Sequence, residues 1–479
     1  MIDSRQWNGE GRRRSVRQGL VLLALAIAVL VAAAASLQQL AVGMAVIAVA
    51  VGASVLLKRP PLGILLLVGL SFLFPFAIGT GTGTELNLTV LGLAGLVGLL
   101  VLQMVTGQVA LPRLASRPAL VALLAFVGIA CLAFVLGQLR WFPIDPAPMW
   151  SQLGQLAVFV LLPGVVLFME RHIHEEKWLR RITWLFLGVG SLQLSLLFLP
   201  PLRLALAPIL RTGQSGSLFW VWIVALGFGQ ACFNDELPKV WRVVLGMVTV
   251  GTLYFALVIN FDWASGWLPS LIAIAGVLWA ARPRFAVVVT VLFVLVGAYL
   301  AQDLLDIVLS GEQYSAVTRL EAWRSITEMT LQRDPLLGFG PANYRFYTVI
   351  KPILGWQVQY NSHNQYVDLL AQTGILGTAA FLWASVAIGL DVWRMRGHAR
   401  FSGFLRAFNY SLFGGLAGML AAGMLADWVL PYVYNITLSG IPTAVLGWIF
   451  LGGAFSLHHI AYGPGKDGLQ PDRSPRPSL

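Results

Sequence analysis

One histidine, His363, lies where a polar stretch of the chain runs into a long hydrophobic segment. Imidazole titrates close to neutral pH, so a histidine in this position can act as a general base. At a membrane boundary such a base could meet one substrate carried by lipid and another carried by water. A histidine at the start of a helix is also a common polar boundary residue, so position alone leaves both interpretations open.

The residues that follow His363 supply further polar groups. Asp368 and Gln372 are four positions apart, which puts them one turn apart on a helix. A carboxylate inside a membrane is costly and is often functional. At this shallow depth Asp368 could orient the site, or it could simply be hydrated.

Composition indicates that the surrounding elements are membrane helices. Of 479 residues, 58% are hydrophobic and 11% are charged, and the mean hydropathy is +0.77. Soluble domains carry about a quarter charged residues. We predict an all-α integral membrane protein with about 14 transmembrane helices, within a range of about 12–14, each of about 17–25 residues. The spans lie near residues 19–36, 40–57, 62–80, 86–106, 118–137, 152–169, 182–201, 217–233, 243–260, 266–281, 285–301, 364–390, 407–430 and 437–457.

The distribution of lysine and arginine predicts the orientation. With alternating spans, the great majority of the 32 basic residues fall on the side that holds both termini. Basic residues accumulate on the cytoplasmic side of membrane proteins, so both termini are predicted to be cytoplasmic. The net charge of +11 then reflects topology and contact with anionic lipid, and no nucleic-acid partner is expected.

The spans divide the chain into four predicted parts. Residues 1–301 form an N-terminal transmembrane bundle of about 11 helices, and residues 302–363 form one large extracytoplasmic loop that bears the site. Residues 364–457 form the C-terminal transmembrane helices, and residues 458–479 form a disordered cytoplasmic tail.

The large loop has a predicted internal structure. Residues 315–332 have the spacing of an amphipathic helix, which Asp334-Pro335 ends because a residue before proline avoids the helical region. A turn-rich stretch with two glycines follows at residues 337–344. One face of the helix is expected to group Leu320, Trp323, Ile326, Thr327 and Thr330. Aromatic residues of the loop could stack on sugar rings, although interfacial anchoring is the favoured interpretation. These aromatic residues are Tyr344, Phe346, Tyr347, Trp356 and Tyr360.

Three stretches of this chain together resemble the O-antigen ligase and polymerase superfamily. The ligase signature of that superfamily is His, then Asn, Ser or Gln, nine residues, Gly, two residues, and Gly or Thr. His363, Asn364, Gly374 and Gly377 fit this signature position for position. The resemblance extends over roughly residues 205–390, and the stretches that carry it are residues 318–323, residues 334–344 and residues 362–377.

Members of the superfamily are polytopic bacterial membrane glycosyltransferases with a large periplasmic loop, and a GT-C-like architecture is expected. The resemblance implies transfer of a glycan from undecaprenyl diphosphate to a sugar hydroxyl outside the inner membrane. A ligase, whose acceptor is the lipid A-core, and a polymerase of O-antigen or exopolysaccharide repeat units remain equally open. A chain-length regulator or a flippase would be the expected protein partner.

Such a transfer needs a base at the acceptor hydroxyl and cations at the departing diphosphate. The resemblance implies that His363 is the base and that Arg319 and Arg211 bind the diphosphate. A guanidinium stays charged and can hold two phosphate oxygens at once. Arg211 could equally be an interfacial anchor, since residues 216–220 stand where many members carry an Asn-Pro-Asn element.

Four residues are candidates for support of this site: Trp323, Asn364, Tyr366 and Asp368. Trp323 lies four residues after Arg319 and is therefore on the same helix face. Three other external arginines are expected to be solvated or to face lipid, namely Arg203, Arg324 and Arg345.

No metal and no cofactor are expected. Residues 172–176 contain ligand-like side chains, but the predicted topology places them in a solvated cytoplasmic loop. The first external loop, at residues 36–39, lacks the acidic residues of metal-dependent oligosaccharide transferases, and no Gly-Lys-Ser/Thr phosphate loop occurs. A transporter of lipid-linked sugars or polysaccharide is the remaining alternative, although the repeats and midplane charges usual in transporters are not seen.

Overall fold

The computed structural model describes residues 55–73, 75, 77–79, 85–109, 117–139, 142–210, 216–299 and 313–463. The predicted span near 19–36, most of the one near 40–57, Arg211 and residues 464–479 lie outside the described residues. Contacts divide the chain into residues 1–64 and residues 65–479, and the site lies wholly in the second unit.

The described part is almost entirely helical, as predicted for an all-α protein. The elements that precede the large loop are α1 (Pro61–Phe72), β1 (Ala77–Gly79), β2 (Glu85–Asn87), α2 (Leu88–Val105), α3 (Pro118–Leu136), α4 (Met149–His172), α5 (Glu176–Leu197), α6 (Pro200–Leu206), α7 (Ser217–Phe233), α8 (Lys239–Tyr254), α9 (Ala264–Ala281) and α10 (Pro283–Tyr299). The later elements are α11 (Gln313–Arg333), α12 (Tyr344–Tyr347), α13 (Gln365–Met395), α14 (Gly403–Leu425) and α15 (Ile441–Tyr462).

Eight of the described helices are long and apolar enough to cross a membrane. They are α2, α3, α4, α8 with its π-helical continuation to Ile259, α9, α13, α14, and α15 with the turn that begins at Leu438. Shorter apolar helices include α1 and α7. The protein is therefore a multi-pass membrane protein. Each span predicted from residue 62 onward coincides with a helix, while the total of 14 and the GT-C-like arrangement stay predictions.

The span predicted near residues 62–80 is shorter in the structure. Helix α1 ends at Phe72, and β1 pairs with β2 in an antiparallel hairpin. Pro75 lies between α1 and β1 and has no amide hydrogen to continue a helix. Asn87 then begins α2, since its side chain accepts a hydrogen bond of 3.0 Å from the Val90 amide.

Small residues bring the central helices close together. A Cβ added at Gly414 of α14 would lie 2.3 Å from the carbonyl oxygen of Ala273 in α9. A Cβ added at Gly415 would lie 2.3 Å from the ring of Trp222 in α7. Glycines at membrane helix interfaces allow this close backbone approach. Helices α7, α9 and α14 consequently form a tight group, beside which α15 is almost completely buried.

Helix α11 confirms the predicted loop helix and ends, as predicted, before Asp334-Pro335. Its buried face includes Ala322, Ile326, Met329 and Thr330, which belong to or border an apolar cluster of the loop. The predicted face was wrong at Leu320, which is 51% exposed. A turn of helix is 3.6 residues, and the buried stripe runs through position 322 instead of position 320.

The aromatic residues of the loop do not share one role. Tyr344 and Tyr347 are completely buried in the apolar cluster, so for them both interfacial anchoring and sugar stacking were wrong. Trp356 is 65% exposed and remains compatible with either function. The loop therefore packs in a core that it shares with Phe142, Ala371 and Tyr432.

Candidate active site

Helix α13 is broken at Gly374, and the break positions the site. Gly374 has φ 65° and ψ −168°, which separates an N-terminal segment of α13 from the rest of the helix. The amides of Ile375 and Leu376 bond instead to the carbonyls of Pro335 (2.8 Å) and Leu336 (3.2 Å). The glycine turn, residues 334–343, thereby inserts into the helix and replaces its internal hydrogen bonds.

Two glycines make this insertion sterically possible. A Cβ on Gly374 would lie 2.2 Å from the Leu336 carbonyl, and one on Gly338 would lie 2.6 Å from the Ala371 carbonyl. Both residues have positive φ, which glycine adopts without steric cost. The glycine of the sequence signature at position 374 thus has a structural function. Gly377 has a similar one, because its Cβ would lie 2.1 Å from the Thr373 hydroxyl.

Asn364 starts α13 immediately after His363. Its Oδ1 accepts hydrogen bonds from the amides of Tyr366 (2.9 Å) and Val367 (3.3 Å), and its Nδ2 donates to the Met424 carbonyl (3.3 Å). This is the N-cap arrangement that asparagine favours. His363 is half-buried and has φ 50°, a left-handed conformation that is uncommon outside glycine. The cap therefore fixes the backbone on one side of the imidazole.

Ser362 fixes the backbone on the other side of His363. The Trp323 Nε1 donates a hydrogen bond of 2.6 Å to the Ser362 carbonyl. The Ser362 hydroxyl donates to Asp368 Oδ1 at 2.8 Å and accepts from the Asn364 amide at 3.0 Å. The Tyr344 hydroxyl also donates to Asp368 Oδ1. Trp323, Asn364 and Asp368, three of the predicted supporting residues, all contact the chain around His363.

Asp368 is 1% exposed, so it is not simply hydrated. Two partners of this carboxylate, Ser362 and Tyr344, were not predicted from the sequence. Burial, and next the charge of Asp368, raise the pKa of Tyr344 well above its ordinary value, so the phenol stays a neutral donor. The Gln372 side chain, one turn after Asp368, accepts a hydrogen bond of 2.9 Å from the Ala342 amide and holds the glycine turn.

Arg319 and His363 lie close enough to interact electrostatically. The pKa of His363 lies below its ordinary value of 6.5. Burial is the larger cause, and the positive charge of Arg319 is the second. The imidazole is therefore neutral, and able to accept a proton, at neutral pH. Arg319 is half-buried, and within the described residues its guanidinium has neither a hydrogen-bond partner nor an acidic partner. The structure thus brings together a neutral base and a cation free to bind an anion.

Tyr366 does not join this group. Its hydroxyl donates a hydrogen bond of 2.7 Å to the Leu420 carbonyl, so it fastens α13 to α14. Arg211, the second predicted diphosphate ligand, lies outside the described residues, and its role stays a prediction.

The expectation for Arg345 was wrong. Its Nη1 donates a hydrogen bond of 3.0 Å to the Tyr434 carbonyl, and its guanidinium lies 5.3 Å from the centre of the Tyr434 ring. Asn361, two residues before His363, donates to the same carbonyl at 2.8 Å. Arg345 therefore links the large loop to the segment around Tyr434, a contact that the sequence could not show because the two residues are 89 positions apart. Arg203 and Arg324 are exposed, as expected.

The segment between α14 and α15 forms a second wall of the site. Asp427 is fully buried and accepts a hydrogen bond of 2.6 Å from the Tyr432 amide. The Tyr432 ring stacks on Tyr344 with centroids 5.0 Å apart, and its hydroxyl donates to the Ala342 carbonyl at 3.1 Å. This segment consequently braces the glycine turn and Tyr344 together.

Residues 172–176 were expected to form a solvated loop. In the structure they lie next to a buried cluster of ion pairs around Glu170. Glu170 is 3% exposed and pairs with Arg117 (2.5 Å) and Arg171 (2.9 Å). The His174 ring bonds the Glu170 carbonyl at 2.8 Å and packs against His459. Among the described residues, no group of three or more His, Cys, Asp or Glu could hold a metal ion. The predicted independence from metal stays a prediction.

Comparison with known proteins agrees with the resemblance carried by the signature. The family model described as O-Antigen ligase matches residues 247–382, a segment that includes Arg319, Trp323 and His363 through Gly377. A search of curated proteins finds no match to the chain. The match covers 136 of the 479 residues, and over this segment the chain is similar to the O-antigen ligase family, which supports the resemblance to the O-antigen ligase and polymerase superfamily.

Proposed function

We propose that this protein is a metal-independent, inverting glycosyltransferase. It transfers a glycan from undecaprenyl diphosphate to a sugar hydroxyl on the external face of the bacterial inner membrane. The observation that carries the proposal is the position of the neutral His363 beside Arg319, where the loop meets α13. A base and a permanent cation at one membrane boundary are the two groups that this transfer requires.

In the proposed reaction, His363 accepts the proton of the acceptor hydroxyl. The hydroxyl oxygen bonds to the anomeric carbon while the bond from that carbon to the diphosphate oxygen breaks, which inverts the configuration. Arg319, with Arg211 as the second cation, binds the departing diphosphate. Negative charge on the diphosphate grows as the bond breaks, so these contacts strengthen in the transition state and promote the reaction.

The surrounding contacts support this division of roles. Trp323 and Ser362 act through the backbone of His363, and Asp368 acts through Ser362. They are positioning residues in this proposal, since none of them needs to touch the substrate. The N-cap by Asn364 fixes the distance between His363 and the membrane-spanning part of α13.

Two acceptors suit the same chemistry. A ligase would use the lipid A-core, completing lipopolysaccharide, and a polymerase would use the terminal sugar of a second O-antigen or exopolysaccharide repeat. A flippase would deliver the donor in both cases, and a chain-length regulator would act with the polymerase. Assays with each acceptor, under otherwise equal conditions, distinguish the two reactions.

The experiment that tests the proposal compares His363→Asn with the wild type in proteoliposomes containing a lipid-linked donor and an acceptor. Asparagine tolerates the left-handed conformation of position 363, so the variant removes the base with little strain. Turnover should fall by about 10²–10⁴-fold while donor affinity changes little. His398→Ala, at the other end of α13, is the matched control and should retain turnover. Near-normal transfer by His363→Asn would refute the role of His363 and with it the proposed mechanism.

A further inference from the structure

A cavity of about 380 Å³ opens between α7, α8, α9 and α10 at the opposite end of the bundle from His363. The two ends of α14 show where the cavity lies relative to His363. The Gln230 side chain of α7 donates to the Phe404 carbonyl at the start of α14 (3.3 Å), whereas Asn364 donates to Met424 near its end. The cavity therefore belongs to a region distinct from the proposed active site.

The wall of the cavity combines an apolar surface with two guanidinium groups. Phe228, Leu278 and Phe285 supply apolar surface, and Phe285 is 55% exposed on the outside of α10. Arg242 and Arg282 supply the positive charge. An opening of this kind suits an amphiphile, because one side of it accepts hydrocarbon and the other accepts an anion.

The two arginines are held differently. The Arg242 side chain donates to the carbonyls of Ala231 (2.8 Å) and Cys232 (3.3 Å), which caps the C-terminal end of α7 and fixes the guanidinium at the cavity wall. Arg282 follows the last residue of α9 and is exposed. Both arginines line the cavity together with Cys232.

The neighbouring acidic residues are already paired with other cations. Asp235 pairs with Arg406 at 2.7 Å, and Glu236 pairs with Arg180 at 3.2 Å. Asp235 also interacts electrostatically with Arg242, but neither carboxylate lines the cavity. An anion that enters the cavity therefore meets the two guanidinium groups at its wall.

We propose that this cavity binds the headgroup of an anionic phospholipid of the phosphatidylglycerol type. The lipid phosphate lies between Arg242 and Arg282, and an acyl chain follows Phe228, Leu278 and Phe285 into the bilayer. Basic pockets between membrane helices bind lipid headgroups by this charge complementarity. With the predicted orientation, the lipid belongs to the cytoplasmic leaflet.

The test uses Cys232 as a reporter inside the cavity. The chain has two cysteines, so a Cys131→Ser background leaves Cys232 as the sole thiol. The rate of alkylation by N-ethylmaleimide is measured in nanodiscs of phosphatidylcholine with increasing phosphatidylglycerol. The proposal expects alkylation to slow by about tenfold when the lipid is about ten times above its Kd, because the free site falls in proportion.

Variants separate specific binding from a general effect of surface charge. In Arg242→Gln/Arg282→Gln the protection by lipid should disappear. Lys239→Gln/Arg284→Gln removes the same amount of charge at the same end of the bundle, but from residues outside the cavity, so protection should persist. Arg282→Gln alone should also weaken protection, and it leaves the Arg242 cap of α7 intact. Slowing that persists in Arg242→Gln/Arg282→Gln, or equal protection by inorganic phosphate in phosphatidylcholine nanodiscs, would overturn the assignment of a lipid site.

Discussion

His363 combines an uncommon backbone conformation with contacts on both sides that hold it. A left-handed residue other than glycine costs about 1–2 kcal/mol. The hydrogen bonds of Trp323 to Ser362 and of Asn364 to the first turn of α13 offset that cost. A side chain presented by such a fixed backbone has few orientations, which is the condition for proton transfer at a defined distance.

Arg319→Gln should change the pH dependence of transfer as well as donor binding. Transfer requires neutral His363, so activity rises with pH through the pKa of the imidazole, which lies below 6.5 in the wild type. Removing the positive charge of Arg319 should raise that pKa and move the acid limb of the kcat/KM profile to higher pH. The shift should be incomplete, because burial, the larger cause, remains. Donor affinity should weaken by about 1.5–3 kcal/mol through loss of a charged hydrogen bond.

Two variants of α11 control for this effect. Arg319→Lys should keep the acid limb near its wild-type position yet restore donor affinity only in part, since an ammonium lacks the planar fork. Arg324→Gln removes an exposed arginine that pairs with Glu328, and it should alter neither property. An unchanged pH profile in Arg319→Gln would contradict the proximity of Arg319 and His363.

Trp323→Phe should lower turnover without weakening donor binding. The substitution keeps the ring but removes the Nε1 hydrogen bond to the Ser362 carbonyl. A net hydrogen bond is worth about 0.5–1.5 kcal/mol, so kcat should fall by about 2–10-fold if that energy orients His363. Steady-state kinetics with the donor varied provide the measurement. Trp356→Phe, at a 65% exposed position, is the control; a higher KM with normal kcat in Trp323→Phe would instead place the indole against the donor.

At the scale of elements, the site depends on one insertion. The glycine turn enters α13 at Gly374, takes over the hydrogen bonds of Ile375 and Leu376, and joins the large loop to a membrane helix. The loop and the helix therefore support His363 together, since Asp368 and Gln372 of α13 accept hydrogen bonds from Tyr344 and Ala342 of the loop.

Gly374→Ala should destabilise the fold around this insertion. The added Cβ would lie 2.2 Å from the Leu336 carbonyl, and alanine disfavours φ 65°. Strain and overpacking together should cost about 2–5 kcal/mol. Thermal unfolding in detergent, followed by tryptophan fluorescence, measures the loss. Gly128→Ala in α3, where nothing lies within 4 Å of the new methyl group, should be neutral or slightly stabilising. Equal melting of Gly374→Ala and wild type would mean that the turn does not need this glycine.

The sequence predicted the local elements well, because hydropathy and proline positions are properties of short segments. The eight predicted spans that coincide with long apolar helices and the end of α11 before Asp334 are examples. Contacts between distant segments were not predictable in the same way. Tyr344 and Asp368 are 24 residues apart, and Arg345 and Tyr434 are 89 residues apart. The proximity of Arg319 and His363 was expected only through the family resemblance.

At the scale of the whole molecule, the two ends of the bundle differ in chemistry. One end carries His363, Arg319 and the apolar cluster in which the large loop packs. The opposite end carries the ion pairs of Glu170 and the arginine-lined cavity. With the predicted orientation, the protein would bind the lipid-linked substrate at the end that carries His363. It would contact the anionic cytoplasmic leaflet at the opposite end.

That orientation can be tested by cysteine labelling in intact cells. In a Cys131→Ser/Cys232→Ser background, Gln357→Cys places an exposed thiol in the large loop, and Ser402→Cys places one between α13 and α14. These positions lie at opposite ends of α13, because the helix runs from Gln365 to Met395. Basic residues favour the cytoplasmic side, so Gln357→Cys should be external and Ser402→Cys cytoplasmic. In cells whose outer membrane, where present, is permeabilised, an impermeant maleimide should label Gln357→Cys before lysis. It should label Ser402→Cys only after lysis. The reverse pattern would place His363 in the cytoplasm, where a donor displayed on the external face could not reach it.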